Sequence, residues 1–141
     1  MIEIHDIPED DRTLGERLAE LLDADATSKG HPYTGTYFGL AAWDGENFAG
    51  GAQYQLLYGW CFLKQLAVDT TYRGAQVGSR LLEALETRMR ANGALGIWLD
   101  TFGYQAAPFY RRHGFEEFGR LAGSVSEEDR IFLRETLGAE I

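Results

Sequence analysis

The residues best spaced for chemistry form one run, Arg73-Gly74-Ala75-Gln76-Val77-Gly78-Ser79, between an apolar stretch, Leu63–Val68, and an amphipathic one that opens at Arg80 and Leu81. The order reads strand, short polar loop, helix. The first backbone N–H groups of any helix lack an internal partner. With the positive end of the helix dipole they make a cradle for an anion. Gly74 and Gly78 let the backbone bend and let a ligand come close, and Arg73 adds a fixed positive charge. The run predicts a site for a phosphate or pyrophosphate. It is not a P-loop, because Gly78 is followed directly by Ser79 without the required Lys. Nor does it have the three ordered glycines of a dinucleotide fingerprint.

Two stretches together point to a family. Arg73, Gln76 and Gly78 occupy the marked positions of the Arg/Gln-x-x-Gly-x-Gly/Ala pattern, with Gln76 where Gly is usual. Gln105-Ala106-Ala107-Pro108-Phe109-Tyr110-Arg111-Arg112-His113-Gly114-Phe115 is similar to an Ala-x-x-Phe-Tyr-x-x-x-Gly-Phe segment. The chain therefore resembles the GNAT N-acetyltransferases from Leu63 to Leu121, and elsewhere by layout.

The resemblance implies an enzyme that moves an acetyl group from acetyl-coenzyme A to an amine by direct attack. It places the cofactor on Leu66, Ala67 and Val68, on Arg73, Gly74, Ala75, Gln76, Val77, Gly78 and Ser79, and beside Gln105 and Phe109. A backbone N–H among Leu66–Val68 would hold the oxyanion, and Tyr110 would be the general acid for the departing thiolate. Such chemistry needs a preorganised donor at the oxyanion and a proton for the leaving group. Many family members have Asn seven residues before that Tyr. Here it is Gly103, and Gln105 could supply the missing contact. The family's strand Glu falls near Trp60, so that base is absent. Asp69, Asp100, His31 and His113 are the candidates, beside a water chain with no single base. Proximity alone supplies much of such a rate. The rival reading is a non-catalytic acyl-coenzyme A binding or partner-binding module on the same fold.

Composition narrows the remainder. With 141 residues the chain is expected to be a single acyltransferase domain over 1–141. A formal net charge of −9 speaks against nucleic acid as a partner and favours cationic ligands. No membrane-length apolar run and no leader are present, so the expectation is a cytoplasmic protein without membrane contact. The only cysteine, Cys61, lies between Trp60 and Phe62 and reads as a buried structural thiol rather than a nucleophile. His5, His31 and His113 show no ligand spacing, and no metal is expected. The family resemblance leaves a homodimer open.

The elements that must position these residues follow from periodicity. Ile2–His5 is expected as a first strand. Leu14, Leu18, Leu21 and Leu22 make one helix face running to about Asp23 or Ala26. Residues 27–36 read as a loop carrying His31 and Tyr33. Tyr37–Trp43, Phe48–Leu57 and Trp60–Val68 read as a three-stranded meander, turned at Asp44–Asn47 and Tyr58–Gly59. The Gly50-Gly51 pair marks a bulge or a close backbone approach. Ser79–Ala91 reads as a helix with Leu81, Leu82, Leu85 and Met89 as its apolar stripe and Glu86 and Arg90 paired off it. Leu95–Thr101 is then a strand parallel to Trp60–Val68. A helix, Tyr104–His113, and two strands, Phe115–Leu121 and Ile131–Leu137, complete the chain. The expected fold is α/β (α+β), a mixed and mostly antiparallel sheet with helices on both faces, in the order β-α-β-β-β-α-β-α-β-β.

Overall fold

Alternating apolar residues and tight turns produce a six-stranded sheet in the computed structural model of the protein, which describes residues 1–9 and 11–138. The strands are β1 (Tyr37–Asp44), β2 (Asn47–Leu57), β3 (Trp60–Val68), β4 (Gly96–Phe102), β5 (Glu116–Leu121) and β6 (Arg130–Thr136). Their spatial order is β1-β2-β3-β4-β6-β5. Only β3 and β4 run parallel; the other neighbours are antiparallel. Positive φ at Gly45, and at both Tyr58 and Gly59, turns the two hairpins of the meander as expected.

The helices are α1 (Arg12–Ser28), α2 (Val77–Ala91) and α3 (Ala107–Arg112). The chain divides into two compact units, Met1–Thr34 and Gly35–Ile141. In the first, Asp11 caps α1 by accepting from the Leu14 N–H at 3.1 Å. The helix runs past the expected stop because Lys29 pairs with Asp25 at 2.9 Å and Gly30, at φ +80°, supplies the left-handed cap. Ile2–His5 is not a strand. A pair of isoleucines among charged residues has no ladder to join, and strand propensity is realised only against a partner. Asp10 and residues 139–141 lie outside the described residues.

In the second unit one core fills the space between α2, α3 and the sheet. Leu82, Leu85 and Met89 of α2 and Ala107 and Tyr110 of α3 meet Cys61, Leu63, Ile97, Leu99, Ile131 and Leu133 of the strands. Asn92 and Gly93 close α2 with the paired bonds Ala94 N–H to Met89 O (2.9 Å) and Gly93 N–H to Arg90 O (3.1 Å). No helix of the described residues is long and apolar enough to cross a membrane.

Glu86 corrects the helix reading. It is 7% exposed, turned inward rather than paired with Arg90 on the surface. Its carboxyl meets that of Glu135 on β6, whose Oε2 is buried without a hydrogen-bond partner among the described residues. Burial first, then the Glu86 carboxyl, push Glu135 up to about 8. Raised above its unfolded value, Glu135 contributes stability that is complete below about 4.5 and is lost as the pH rises through about 8. Glu135→Gln is expected to melt with the native protein at about pH 4 and above it at about pH 9. After screening, the gain is on the order of 2 kcal/mol. Equal melting curves at pH 9 would refute the raised Glu135 carboxyl.

Candidate functional site

β3 and β4 pair at only three positions, Trp60 with Gly96, Cys61 with Ile97 and Phe62 with Trp98. Beyond Phe62 they part. On its other edge β3 stays paired with β2 out to Val68, and a register shift at Gln53/Tyr54 leaves Lys64 as an extra residue. A bulge bends its strand and increases the local twist. Here it accompanies the divergence of Leu66–Val68 from β4. The outer edge of β3 is left without a strand neighbour there, so alternate backbone N–H and C=O groups stay open.

A cavity of about 1130 Å³ occupies the gap. It gathers Leu66, Ala67 and Val68, Arg73 and Gly74, Gln76, Val77, Gly78 and Ser79, and Gln105, Phe109 and Tyr110. Ala75 is the exception. It does not line the cavity, and its N–H donates to Tyr72 O at 3.3 Å. α2 begins two residues earlier than its periodicity suggests, so Val77, Gly78 and Ser79 form its first turn, with N–H groups that have no helical acceptor. Gln76 precedes them at φ 64°, ψ 18°. This is the left-handed conformation that glycine adopts freely and other residues at a cost of about 1 kcal/mol or more. Gln76 thus keeps the loop path of the usual glycine.

α3 forms the opposite wall. It starts at Ala107 rather than Tyr104, with Pro108 in its first turn, and residues 103–106 make a turn ahead of it. Gly78 faces α3, and a Cβ there would meet the Phe109 ring at 3.5 Å, an ordinary contact. Tyr110 is 5% exposed and packs edge-on against Phe109 and Phe115, with centroids at 5.1 and 5.5 Å. Burial pushes its phenol up to about 12. Among the described residues its hydroxyl has no hydrogen-bond partner, and the side chain lines the cavity.

Gly103 explains the missing Asn. A Cβ there would lie 2.8 Å from Ser126 O and 3.1 Å from Glu127 O, so the loop before β6 leaves no room for a side chain. Gln105 lines the cavity, but its Oε1 accepts from Phe102 N–H (3.0 Å) and Thr101 Oγ1 (3.3 Å). Its NH₂ can still donate to a ligand.

The four base candidates separate. Asp69 caps the turn Thr70–Tyr72, and the Thr71 N–H, 2.9 Å away, holds its carboxyl below the usual range. His113 caps α3 and meets Ser79 Oγ at 3.0 Å, outside the cavity lining. His31 belongs to the other unit. Asp100 alone of the four lines the cavity. Arg112 and Tyr104 also line it, and sequence reasoning had not singled them out. The signal for Arg112 was a cation two residues past Tyr110 in a strongly acidic chain. Cys61 is 0% exposed and its thiol is pushed up to about 12 by burial, which makes it inert. No cluster of His, Cys, Asp and Glu able to hold a metal occurs among the described residues.

Residues 1–115 match the model of the acetyltransferase (GNAT) family. The blasticidin-S acetyltransferase of Streptomyces morookaense is 35% identical over 92 residues, covering 64% of this chain and 65% of that protein. The chain spans between 50% and 65% of the length of the curated relatives it matches. Among solved structures, an acetyltransferase from Bacillus cereus ATCC 14579 superposes with a TM-score of 0.78 at 24% identity, over 94% of this chain and 98% of its own. An aminoglycoside 6'-N-acetyltransferase complexed with coenzyme A gives 0.65 at 19% identity, over 99% of both chains. At these identities the superpositions establish the fold.

Proposed function

The chain belongs to the GNAT family of acetyltransferases, and from that premise we propose that it is an N-acetyltransferase that takes its acetyl group from acetyl-coenzyme A. The observation that carries this reading is the gap between β3 and β4, which brings an open strand edge, a free helix start and a buried phenol around one cavity. The pantetheine arm lies along Leu66–Val68 as a short strand would, and the pyrophosphate sits on the N–H groups of Gln76–Ser79. Arg73, Arg112 and Lys64 are the cations lining the same cavity.

The acceptor nitrogen attacks the thioester carbonyl carbon. A nitrogen–carbon bond forms, and the carbonyl oxygen becomes an oxyanion held by a backbone N–H of Leu66–Val68. The carbon–sulfur bond then breaks. The thiolate takes the Tyr110 proton, the nitrogen loses its extra proton to water, and solvent restores the phenol. The reading treats residues 1–141 as one acyltransferase domain working in the cytosol, with acetyl-coenzyme A and an amine as its partners.

Calorimetric titration with acetyl-coenzyme A, followed by thiol release with a panel of amines, tests it. Arg73→Ala is expected to weaken acetyl-coenzyme A binding about tenfold or more, the range of a hydrogen bond to a charged group. Unchanged affinity would remove the cradle assignment. Tight binding without transfer to any amine would leave a binding module instead of an enzyme.

A further inference from the structure

Asp100 lies on β4 two residues beyond the last β3–β4 pair, where the strands have parted. Its neighbours Leu99 and Thr101 are buried on the side of α2 and α3, so Asp100 points to the other face of the sheet, with Trp98 and Phe102. Tyr110, in the core, reaches the cavity from the opposite side. The Asp100 side chain is only 17% exposed. Arg130 Nε holds its Oδ1 at 2.9 Å, and Oδ2 has no partner among the described residues. The guanidinium of Arg130 rests over the Phe132 ring at 5.4 Å, and Phe132 stands opposite Asp100 in the β4–β6 register. The carboxylate is therefore oriented and half satisfied, with one oxygen left for a ligand.

Aromatic side chains share its face of the sheet. Trp98 stacks on Phe62 at 4.4 Å. Phe102 stacks on Tyr104 at 5.8 Å with the rings 3° from parallel. Tyr104 is 65% exposed and lines the same cavity as Asp100. The open carboxylate oxygen favours a cation, and the exposed Tyr104 ring on the same cavity adds the attraction of its quadrupole. The open side of Tyr104 favours a flat group.

Resting on the acetyl-transfer reading above, we infer that Asp100 and Tyr104 form the acceptor subsite, and that it selects an ammonium group joined to a flat aromatic ring. Asp100 Oδ2 receives the ammonium at the mouth of the gap, and Tyr104 stacks on the ring.

The test uses the coenzyme A-loaded protein titrated with tryptamine, with 2-cyclohexylethylamine (the same cation on a ring that is not flat) and with indole-3-propionate (the flat ring without the cation). Tryptamine is expected to bind about fivefold more tightly than the cyclohexyl amine, and indole-3-propionate not at all. Tyr104→Leu, at an exposed position, should abolish the difference between the two amines. Asp100→Asn should weaken both about 10- to 100-fold, leaving coenzyme A affinity unchanged. Equal binding of the two amines, binding of the propionate, or loss within about twofold in Asp100→Asn would each overturn the subsite. Turnover of the same amines is followed in parallel. The expected binding pattern without acetylated product would refute the enzyme and leave the subsite standing.

Discussion

Tyr110→Phe is expected to lower kcat about a hundredfold or more, the usual worth of a positioned proton donor, while acetyl-coenzyme A affinity and the melting temperature stay near the native values. The substitution removes one oxygen from a ring wedged between Phe109 and Phe115, and that oxygen has no partner to lose among the described residues. Structure is thus spared and chemistry is not. Burial raises the phenol to about 12, so it keeps its proton at every pH where the fold is tested. Ionisation of Tyr110 should therefore cause no alkaline fall in kcat below about pH 11. The assay is coenzyme A thiol release at saturating acetyl-coenzyme A. A Phe variant that turns over within about threefold of the native rate would give the proton-donor role to solvent.

Gly50→Ala should cripple the protein through its backbone. Gly50 pairs with Val68, and a Cβ there would lie 2.6 Å from Ala67 O and 3.0 Å from Val68 Cα. Both obstacles are backbone atoms of the strand end that lines the cavity, so no side chain can swing aside. β3 has to move, at a cost of about 1–3 kcal/mol, read as a drop of about 4 °C in melting temperature for each kcal/mol. Because the displaced residues are Leu66–Val68, acetyl-coenzyme A affinity should fall about tenfold as well, roughly 1.4 kcal/mol. Gly39→Ala is the control: its Cβ would meet Ala52 O at 3.5 Å, an ordinary contact. If the two variants melt together, the end of β3 is free to give way and close packing at Gly50 is not what places it.

These expectations rest on features of different legibility. Residues 37–68 announce their strands because alternation and turn residues act locally, and Gly50-Gly51 was readable as a close approach. Leu66–Val68 and the run from Arg73 to Ser79, except Ala75, line one cavity, a juxtaposition that a strand running into a glycine-containing loop and a helix suggests from sequence. What escaped depends on distant partners. Ile2–His5 alternates like a strand, yet alternation does not provide a neighbour. Glu86 sits at a polar position of its helix and turns inward to meet Glu135, far along the chain. Gly103 looked like a lost contact and is a steric necessity set by the loop carrying Ser126 and Glu127. Asp100 could not be told from the other base candidates until the parting of β3 from β4 placed it alone among them on the cavity wall.

That parting has a consequence for the order of events. The gap takes walls from both sides of the sheet, Tyr110 from one and Asp100 from the other. Groups from the two faces of the sheet thus meet on one cavity wall. The chain's single thiol, Cys61, is sealed beneath the sheet and cannot carry an acetyl group. On the acetyl-transfer reading proposed above, no thiol stands ready to be loaded and discharged, so donor and acceptor are expected to be bound together when the acetyl group passes.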